Sequence, residues 1–158
     1  MKEFDLLKKL DHPNIVRLIE AFRDKEEICL VTELCKGDTL INAMASRNDG
    51  FTEDEVASII LQLLQAVNYC HKSGVCHRDI KCDNIIIEDA GLQIKLIDFG
   101  LACLFDPEKG MTGKKGTTMY MAPEVIYQRG AYTESSDMWS IGVVAFTLLA
   151  NTFPFPWS

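Results

Sequence analysis

The stretch His77-Arg78-Asp79-Ile80-Lys81-Cys82-Asp83-Asn84 places six polar side chains directly before a predicted β-hairpin. Two apolar runs, residues 85–87 and 92–97, flank a short turn and have the composition of paired strands. Asn84 opens the first run and Asp98 ends the second. Because antiparallel pairing brings these ends together, the sequence predicts that Asn84 and Asp98 lie opposite each other at the open end of the hairpin.

This polar cluster has the chemistry of a magnesium and phosphate site. An amide oxygen at Asn84 and a carboxylate at Asp98 suit Mg²⁺, which takes one or two protein ligands and completes its shell with waters and phosphate oxygens. Asp79 can face the same opening, and Lys81, two residues later in an extended loop, projects to the same side. A carboxylate, a lysine and a metal pair together predict phosphoryl transfer, in which positioning and charge neutralisation supply most of the catalysis.

Two further motifs follow this stretch in order. Asp98-Phe99-Gly100 begins 19 residues after Asp79, and Ala122-Pro123-Glu124 closes a 27-residue segment that starts at Asp98. The glycine of the first motif permits a backbone bend, so that its phenylalanine can pack inward while its aspartate faces the metal. Each motif alone is a weak signal, but the ordered set is far less frequent by chance.

With these motifs the sequence resembles a eukaryotic protein kinase catalytic domain, and the resemblance covers essentially the whole chain. Lys81 and Thr117 match the serine/threonine class rather than the tyrosine class. The stretches Leu30–Gly37 and Asn68–Lys72 are most similar to the calcium-dependent and calmodulin-dependent kinase group. The resemblance implies ATP and Mg²⁺ as cofactors, protein serine or threonine side chains as substrates, and a regulatory segment outside this chain.

The resemblance also implies a fold class and a domain division. It implies an α+β, bilobal fold in which residues 1–158 form a partial kinase domain. Residues 1–33 would be a remnant of the small lobe, and residues 34–158 the hinge and an incomplete large lobe. The Gly-rich phosphate loop and the anchoring lysine would lie upstream, and the last helices of the large lobe would follow. We therefore expect a domain truncated at both ends, with exposed apolar surface and little activity of its own.

The family's catalytic roles carry over to matching positions. Asp79 would accept the proton of the substrate hydroxyl or orient that hydroxyl, and Thr117 would bond Asp79 and help position the acceptor. Lys81 would neutralise charge on the moving phosphoryl group. Asn84 and Asp98 would hold Mg²⁺.

The resemblance implies a nucleotide site as well. Thr32 would guard the back of the adenine pocket, the backbone of Glu33 and Cys35 would bond the adenine ring, and Ile86 would pack beneath it. The full predicted cofactor-binding set is Thr32, Glu33, Cys35, Asp83, Asn84, Ile86 and Asp98. Asp83 also occupies one of three positions at which this group uses acids to select arginine. Because Thr39 and Thr147 occupy the other two, no preference for basic substrates is predicted.

Two supporting features are implied around this site. Glu3 falls where a helix carboxylate pairs with the phosphate-anchoring lysine, although a solvated charge at a chain end is an equally good interpretation. An apolar stack would link the lobes above a buried aspartate; its members are Leu7, Leu18, His77, Phe99 and Asp137.

The local patterns predict the secondary structure. Thr52 and Glu55 form a capping box that starts a long helix, and Lys72 with Gly74 ends it. The remaining predicted features are a helix over residues 2–10, strands over 15–19 and 28–32 joined by a charged turn at 23–27, a pattern break at Lys36-Gly37-Asp38, a hairpin turn at Asp89-Ala90-Gly91, an irregular region over 98–131, and a fully buried helix over 136–149.

Composition excludes several classes of function. The chain has 158 residues, a net charge of −7 and 47% hydrophobic residues, which excludes disorder and disfavours nucleic-acid partners. The longest apolar run, Ile141–Ala150, is too short to span a membrane. The six cysteines include no C-x-x-C pair, which disfavours zinc, and scattered thiols are typical of a reducing, cytoplasmic setting. No EF-hand loop occurs, so we expect no direct calcium binding.

Two alternative functions stay open. The chain could be a kinase-like binding module or truncated gene product without catalysis, although Asp79, Lys81, Asn84 and Asp98 are all retained. A phosphotransferase acting on small molecules is the second alternative. Thr117 and Ala122-Pro123-Glu124 disfavour it, because they match a segment that faces protein substrates.

Overall fold

The computed structural model describes residues 3–23, 28–88 and 92–155, and shows an α+β fold with small antiparallel sheets. The elements in chain order are α1 (Glu3–Leu7), β1 (Leu18–Arg23), β2 (Ile28–Thr32), β3 (Gly37–Thr39), α2 (Leu40–Ser46), α3 (Glu53–Lys72), β4 (Val75–Cys76), β5 (Ile85–Glu88), β6 (Gln93–Leu96), β7 (Cys103–Leu104), α4 (Pro123–Tyr127) and α5 (Ser135–Ala150). Short 3₁₀ turns span Cys82–Asn84 and Thr118–Tyr120.

Helix α3 begins and ends where the sequence predicts. The Thr52 hydroxyl accepts from the Glu55 N–H, and the Glu55 carboxylate accepts from the Thr52 N–H, which completes the capping box. At the other end Ser73 caps the helix, and Gly74 takes a left-handed conformation with φ 72°. The buried face of α3 includes Ile59 and Leu63 and packs against α5 and β6.

The first strand is displaced from its predicted position. Residues 15–19 were expected to form it, but β1 covers Leu18–Arg23 and pairs with β2. Ile15 instead forms a bridge with Leu96, and the Val16 N–H donates to the Leu96 carbonyl over 3.0 Å. Residues 15 and 16 are thus held by the hairpin and are not available to β1. Most of the predicted 23–27 turn lies outside the described residues.

The hairpin of β5 and β6 is confirmed, but its register differs from the prediction by one residue. Ile85 pairs with Leu96, and the Ile97 N–H donates to the Asn84 carbonyl over 2.9 Å. Asn84 therefore faces Ile97, and Asp98 lies one position beyond the ladder. Asn84 also belongs to a 3₁₀ turn rather than to the strand. The predicted turn at Asp89-Ala90-Gly91 lies outside the described residues.

Strand β3 was predicted as a break in the pattern. It pairs with β5 and extends the hairpin to three strands. Gly37 is required there because a Cβ at this position would overlap the Ile87 carbonyl. The pairing therefore depends on partners 47 to 51 residues away, which a local pattern does not reveal.

Helix α5 is only half buried, which corrects the prediction of a fully buried helix. Val144 and Leu148 lie in the core, whereas Phe146 is 44% exposed and Leu149 is 54% exposed. The outer face forms an apolar groove lined by Trp139, Gly142, Val143, Phe146, Pro154 and Phe155. Apolar side chains are thus exposed on this face of α5. In the described residues no helix is both long enough and apolar enough to cross a membrane.

Candidate active site

The predicted catalytic residues meet at the Asp79 carboxylate. One oxygen, Oδ1, accepts from the Thr117 backbone N–H over 2.8 Å and from the Thr117 hydroxyl over 2.7 Å. The other, Oδ2, lies 3.1 Å from the Lys81 ammonium and accepts from the Asn84 amide over 3.2 Å. Lys81 also donates to the Thr117 hydroxyl over 3.0 Å. The structure therefore joins Asp79, Lys81, Asn84 and Thr117 in one network.

This network keeps Asp79 ionised. Burial alone raises the pKa of its carboxyl, but hydrogen bonds from Thr117 and Lys81 and the positive charge of Lys81 outweigh that effect. The pKa of Asp79 therefore lies below its usual value. At neutral pH the group is a negatively charged hydrogen-bond acceptor and a weak base.

The backbone under this network is held by the carboxylate of Asp137, which is 1% exposed. Its Oδ1 accepts from the Arg78 N–H over 2.8 Å, and its Oδ2 accepts from the His77 N–H over 2.9 Å. Arg78 has a φ of 65°, a left-handed conformation that is unfavourable for a non-glycine residue. Asp137 thus fixes a strained turn directly before Asp79.

His71 and Cys76 complete the surroundings of Asp137. The His71 Nε2 lies 2.9 Å from its Oδ2, and the Cys76 thiol donates to the same oxygen over 3.2 Å. Ligand atoms of the three side chains lie within 4.8 Å of one another, but these hydrogen bonds already satisfy them. Burial raises the pKa of Asp137, and the bonds from His71, His77 and Arg78 reverse this, so its pKa is below the usual value.

Two members of the implied apolar stack, His77 and Phe99, contact each other directly. The rings of His77 and Phe99 meet edge to face with centroids 4.7 Å apart, and both side chains are fully buried. Leu7 is buried in the same core, and Leu18 packs against it from β1. The Asp137 carboxylate accepts a hydrogen bond from the His77 N–H, which joins it to the stack.

Asn84 accepts a backbone hydrogen bond from Ile97, the residue directly before Asp98. The Asn84 Nδ2 donates to the backbone carbonyl and the carboxylate of Asp79, which turns its amide oxygen away from Asp79. Asp98 is exposed, has a φ of 61°, and accepts from the Gly100 N–H through Oδ1 over 3.1 Å. An amide oxygen and an exposed carboxylate are a donor set that fits a hard cation such as Mg²⁺.

Glu3 approaches this acidic position from α1. Its Oε2 lies 3.8 Å from the point where a Cβ on Gly100 would stand. Burial raises the pKa of Glu3, the charge of Asp98 raises it further, and a hydrogen bond from the Phe99 N–H opposes both. Glu3 is therefore not a fully solvated charge, and it adds negative potential beside Asp98.

The predicted nucleotide residues lie at the junction of β2, β3 and β5. The Glu33 N–H donates to the Arg17 carbonyl. The backbone atom of Glu33 that stays available to a ligand is therefore its carbonyl oxygen. Thr32, Cys35 and Ile86 are half-buried. Asp83 is exposed on its 3₁₀ turn.

Sequence reasoning missed two side-chain contacts, one at Glu33 and one at Asp137. Lys95 on β6 pairs with the Glu33 carboxylate over 2.8 Å. Hydrogen bonds and charge from Lys95 and Arg17 overcome the effect of burial, so the pKa of Glu33 is below its usual value. The second missed contact is His71 with Asp137. A lysine on a strand and a histidine in the last turn of a helix give no local signal of a distant partner.

Gly116 allows the 98–124 segment to pass close to residues 77–84, the catalytic stretch. Gly116 has a φ of 114°, and a Cβ there would overlap the Arg78 carbonyl. We predict that Gly116→Ala lowers the free energy of unfolding by about 3 kcal/mol or more, because it combines strain with steric overlap. Gly113→Ala is the matched control, since Gly113 has a φ of 82° but open space around it. Its expected cost is about 1 kcal/mol. Equal losses in urea unfolding would contradict the close approach at Gly116.

Comparisons with known proteins find related sequences. Residues 1–158 match the family model of the protein kinase domain. Sperm motility kinase 2B of Mus musculus is 40% identical over 156 residues, covering 98% of this chain and 32% of that protein. CDPK-related kinase 1 of Arabidopsis thaliana is 38% identical over 157 residues, covering 98% and 27%. Calcium-dependent protein kinase 4 of Plasmodium falciparum is 42% identical over 158 residues, covering 98% and 29%. The chain spans less than a third of these relatives.

Proposed function

We propose, because this chain belongs to the protein kinase family, that it carries the catalytic loop of an enzyme that transfers the γ-phosphate of ATP to serine or threonine hydroxyls of proteins. The observation that supports this most directly is the Asp79 network, in which one carboxylate is held by Thr117 and Lys81 at hydrogen-bonding distance. Such an arrangement positions an acceptor hydroxyl beside a mobile positive charge.

Asp79 acts mainly by orientation. Its low pKa makes it a weak base, so it accepts a hydrogen bond from the substrate hydroxyl and takes the proton only late in the transfer. This order suits a loose transition state, in which the nucleophile carries its proton until bonding to phosphorus is advanced. The two hydrogen bonds from Thr117 keep the Asp79 carboxylate from rotating.

Lys81 must move for the substrate to bind Asp79. Each oxygen of Asp79 already has two contacts, and a carboxylate offers about four acceptor positions. An incoming hydroxyl therefore displaces one contact. Lys81 is the partner best able to leave, because its stem is flexible and its charge is needed on the transferred phosphoryl group.

Asn84 and Asp98 would hold Mg²⁺, and the hinge backbone at Glu33 and Cys35 would bind adenine. Bound ATP would supply the phosphoryl group, and bound Mg²⁺ would neutralise much of its charge. The donor set supports this assignment, since Asn84, which contacts Asp79, offers an amide oxygen and Asp98 offers an exposed carboxylate. Thr32, Ile86 and Asp83 complete the proposed nucleotide site.

We propose further that regulation comes from a segment outside these 158 residues. Relatives are named calcium-dependent kinases, whereas this sequence has no EF-hand loop. A cytoplasmic location is part of the same proposal, because all six cysteines are free thiols.

A chimera tests the proposed activity. We would replace the matching segment of calcium-dependent protein kinase 4 from P. falciparum with this chain and measure transfer from Mg²⁺–ATP to peptides. We expect phosphate on serine and threonine peptides and none on a matched tyrosine peptide. Asp98→Asn should reduce transfer by about 100-fold or more, since a metal ligand is lost. Asp106→Asn, an exposed change in the 98–124 segment, is the control and should leave transfer unchanged.

The same experiment separates the alternatives. A chimera that folds and binds ATP but transfers nothing would contradict the enzyme and favour a kinase-like binding module. Transfer to free amino acids or sugars in preference to peptides would favour a small-molecule phosphotransferase.

A further inference from the structure

The structure places two cysteines directly opposite each other where the catalytic stretch meets the 98–124 segment. Strands β4 and β7 are antiparallel, and Cys76 and Cys103 are register partners. Cys76 directly precedes His77, and Cys103 lies three residues after Gly100. We propose that Cys76 and Cys103 form a reversible disulfide that ties the catalytic stretch to the 98–124 segment.

The ladder geometry brings the two Cα atoms within the distance range of a disulfide. The Phe105 N–H donates to the Gly74 carbonyl, so that pair is a hydrogen-bonded one. Hydrogen-bonded pairs alternate along an antiparallel ladder, which makes Cys76 and Cys103 the next such pair. Opposed Cα atoms in such a pair are about 5.5 Å apart. Disulfides span Cα distances of about 4.4–6.8 Å, with the commonest values near 5.5–6 Å.

Both side chains project to the same face, as directly opposed residues in a ladder do. They also share one apolar cluster, in which Cys76 is buried and Cys103 packs against it. In the reduced state the Cys76 thiol donates to Asp137, and the Cys103 thiol lies 3.3 Å from the Met111 sulfur. Because the side chains of a hydrogen-bonded pair are farther apart than those of a non-hydrogen-bonded pair, forming the bond requires side-chain rotations and a small approach of the two strands, but no change in strand register.

The two thiols differ in access, which sets the order of the reaction. Cys103 is partly exposed, whereas Cys76 is completely buried. With hydrogen peroxide as oxidant, the Cys103 thiolate attacks one oxygen, the O–O bond breaks, and the products are a sulfenic acid and hydroxide. Burial and the charge of Asp137 raise the pKa of the Cys76 thiol, so this thiol passes its proton to the Asp137 carboxylate as it attacks. The S–S bond forms, the S–O bond breaks, and hydroxide leaves. With the two thiol protons, one peroxide is reduced to two waters.

Peptide mapping of the 158-residue chain tests the proposal. The folded chain would be treated with hydrogen peroxide in the presence of EDTA, which removes metal as an explanation, and then unfolded, alkylated and digested with trypsin. Cys76 and Cys103 fall on separate tryptic peptides, residues 73–78 and 96–109, each with a single cysteine. We expect these two peptides joined, four of the six thiols alkylated, and full reversal by a phosphine reductant.

Two variants make the test decisive. Cys103→Ser should abolish the joined peptide and is expected to fold, because Cys103 is only partly buried. Cys70→Ser removes another buried thiol near Asp137 and should leave the joined peptide intact. Recovery of both cysteines as alkylated thiols, or a bond between either one and a different cysteine, would overturn the proposal.

Discussion

Replacing Asp137 by alanine is expected to lower the free energy of unfolding by about 3–5 kcal/mol, the usual cost of removing one partner from a buried charged network. The change leaves the N–H groups of His77 and Arg78 buried without their acceptor. It also removes the restraint on Arg78, whose left-handed backbone is unfavourable by itself. Urea unfolding of the purified chain, followed by circular dichroism, measures the loss.

The control replaces an aspartate that is partly exposed instead of buried. Asp106 is 46% exposed in its side chain and pairs with Lys109 over 3.3 Å. Asp106→Ala should change stability by less than about 1 kcal/mol, because exposed ion pairs contribute little. If Asp137→Ala does not fold, Asp137→Asn keeps one acceptor oxygen and should give a smaller, measurable loss. Similar stabilities for Asp106→Ala and both Asp137 variants would contradict the supporting role of Asp137.

The pH dependence gives an independent check of the same prediction. The folded pKa of Asp137 lies below its unfolded value of about 4, so the unfolded chain binds the proton more readily. The stabilisation by this carboxylate is therefore complete above about pH 4 and is lost as the pH falls through the folded pKa. The stability difference between the native chain and Asp137→Asn should shrink over that acidic range. A difference that grows on acidification would contradict it.

How well the sequence predicts each element depends on how local the interactions are. The capping box at Thr52 and Glu55 lies within four residues, and the structure confirms the helix start there. The two apolar runs around residue 90 pair as expected because a short connection leaves few alternatives. Strands β3, β4 and β7 were not predicted, since each depends on a partner far along the chain.

The register error at the hairpin shows a different limit. Equal distances from the turn suggested that Asn84 faces Asp98, but the ladder pairs Ile85 with Leu96 and leaves Asp98 one residue further out. Sequence alone does not fix the register, because a one-residue shift depends on the turn geometry. Asp98 directly follows Ile97, whose N–H donates to the Asn84 carbonyl, so the magnesium site at Asn84 and Asp98 stays a proposal.

Helix α5 shows why burial is hard to predict from composition. Its residues are apolar nearly all round, which is typical of a helix enclosed on every side. In the described part of the chain, only the face containing Val144 and Leu148 is covered, and Trp139 and Phe146 are exposed. Apolar sequence shows that a face can be buried but not what covers it.

Replacing Asp79 by asparagine in the chimera is expected to reduce phosphotransfer by about 10³-fold or more, because orientation and proton acceptance are lost together. The variant keeps an acceptor oxygen for Thr117 but loses the charge that binds Lys81 and directs the substrate hydroxyl. Transfer from Mg²⁺–ATP to a serine peptide, measured with saturating peptide, gives the effect on kcat.

The matched change is Asp106→Asn, which alters a partly exposed acid outside the proposed catalytic and nucleotide sites. It should leave kcat unchanged within about twofold, because Asp106 contacts none of the proposed reacting groups. Asp79→Asn must also bind ATP like the parent, since Asp79 is not a proposed nucleotide ligand. If Asp79→Asn transfers phosphate as fast as the parent, Asp79 is not the catalytic residue, and the network with Lys81 and Thr117 has only a structural role.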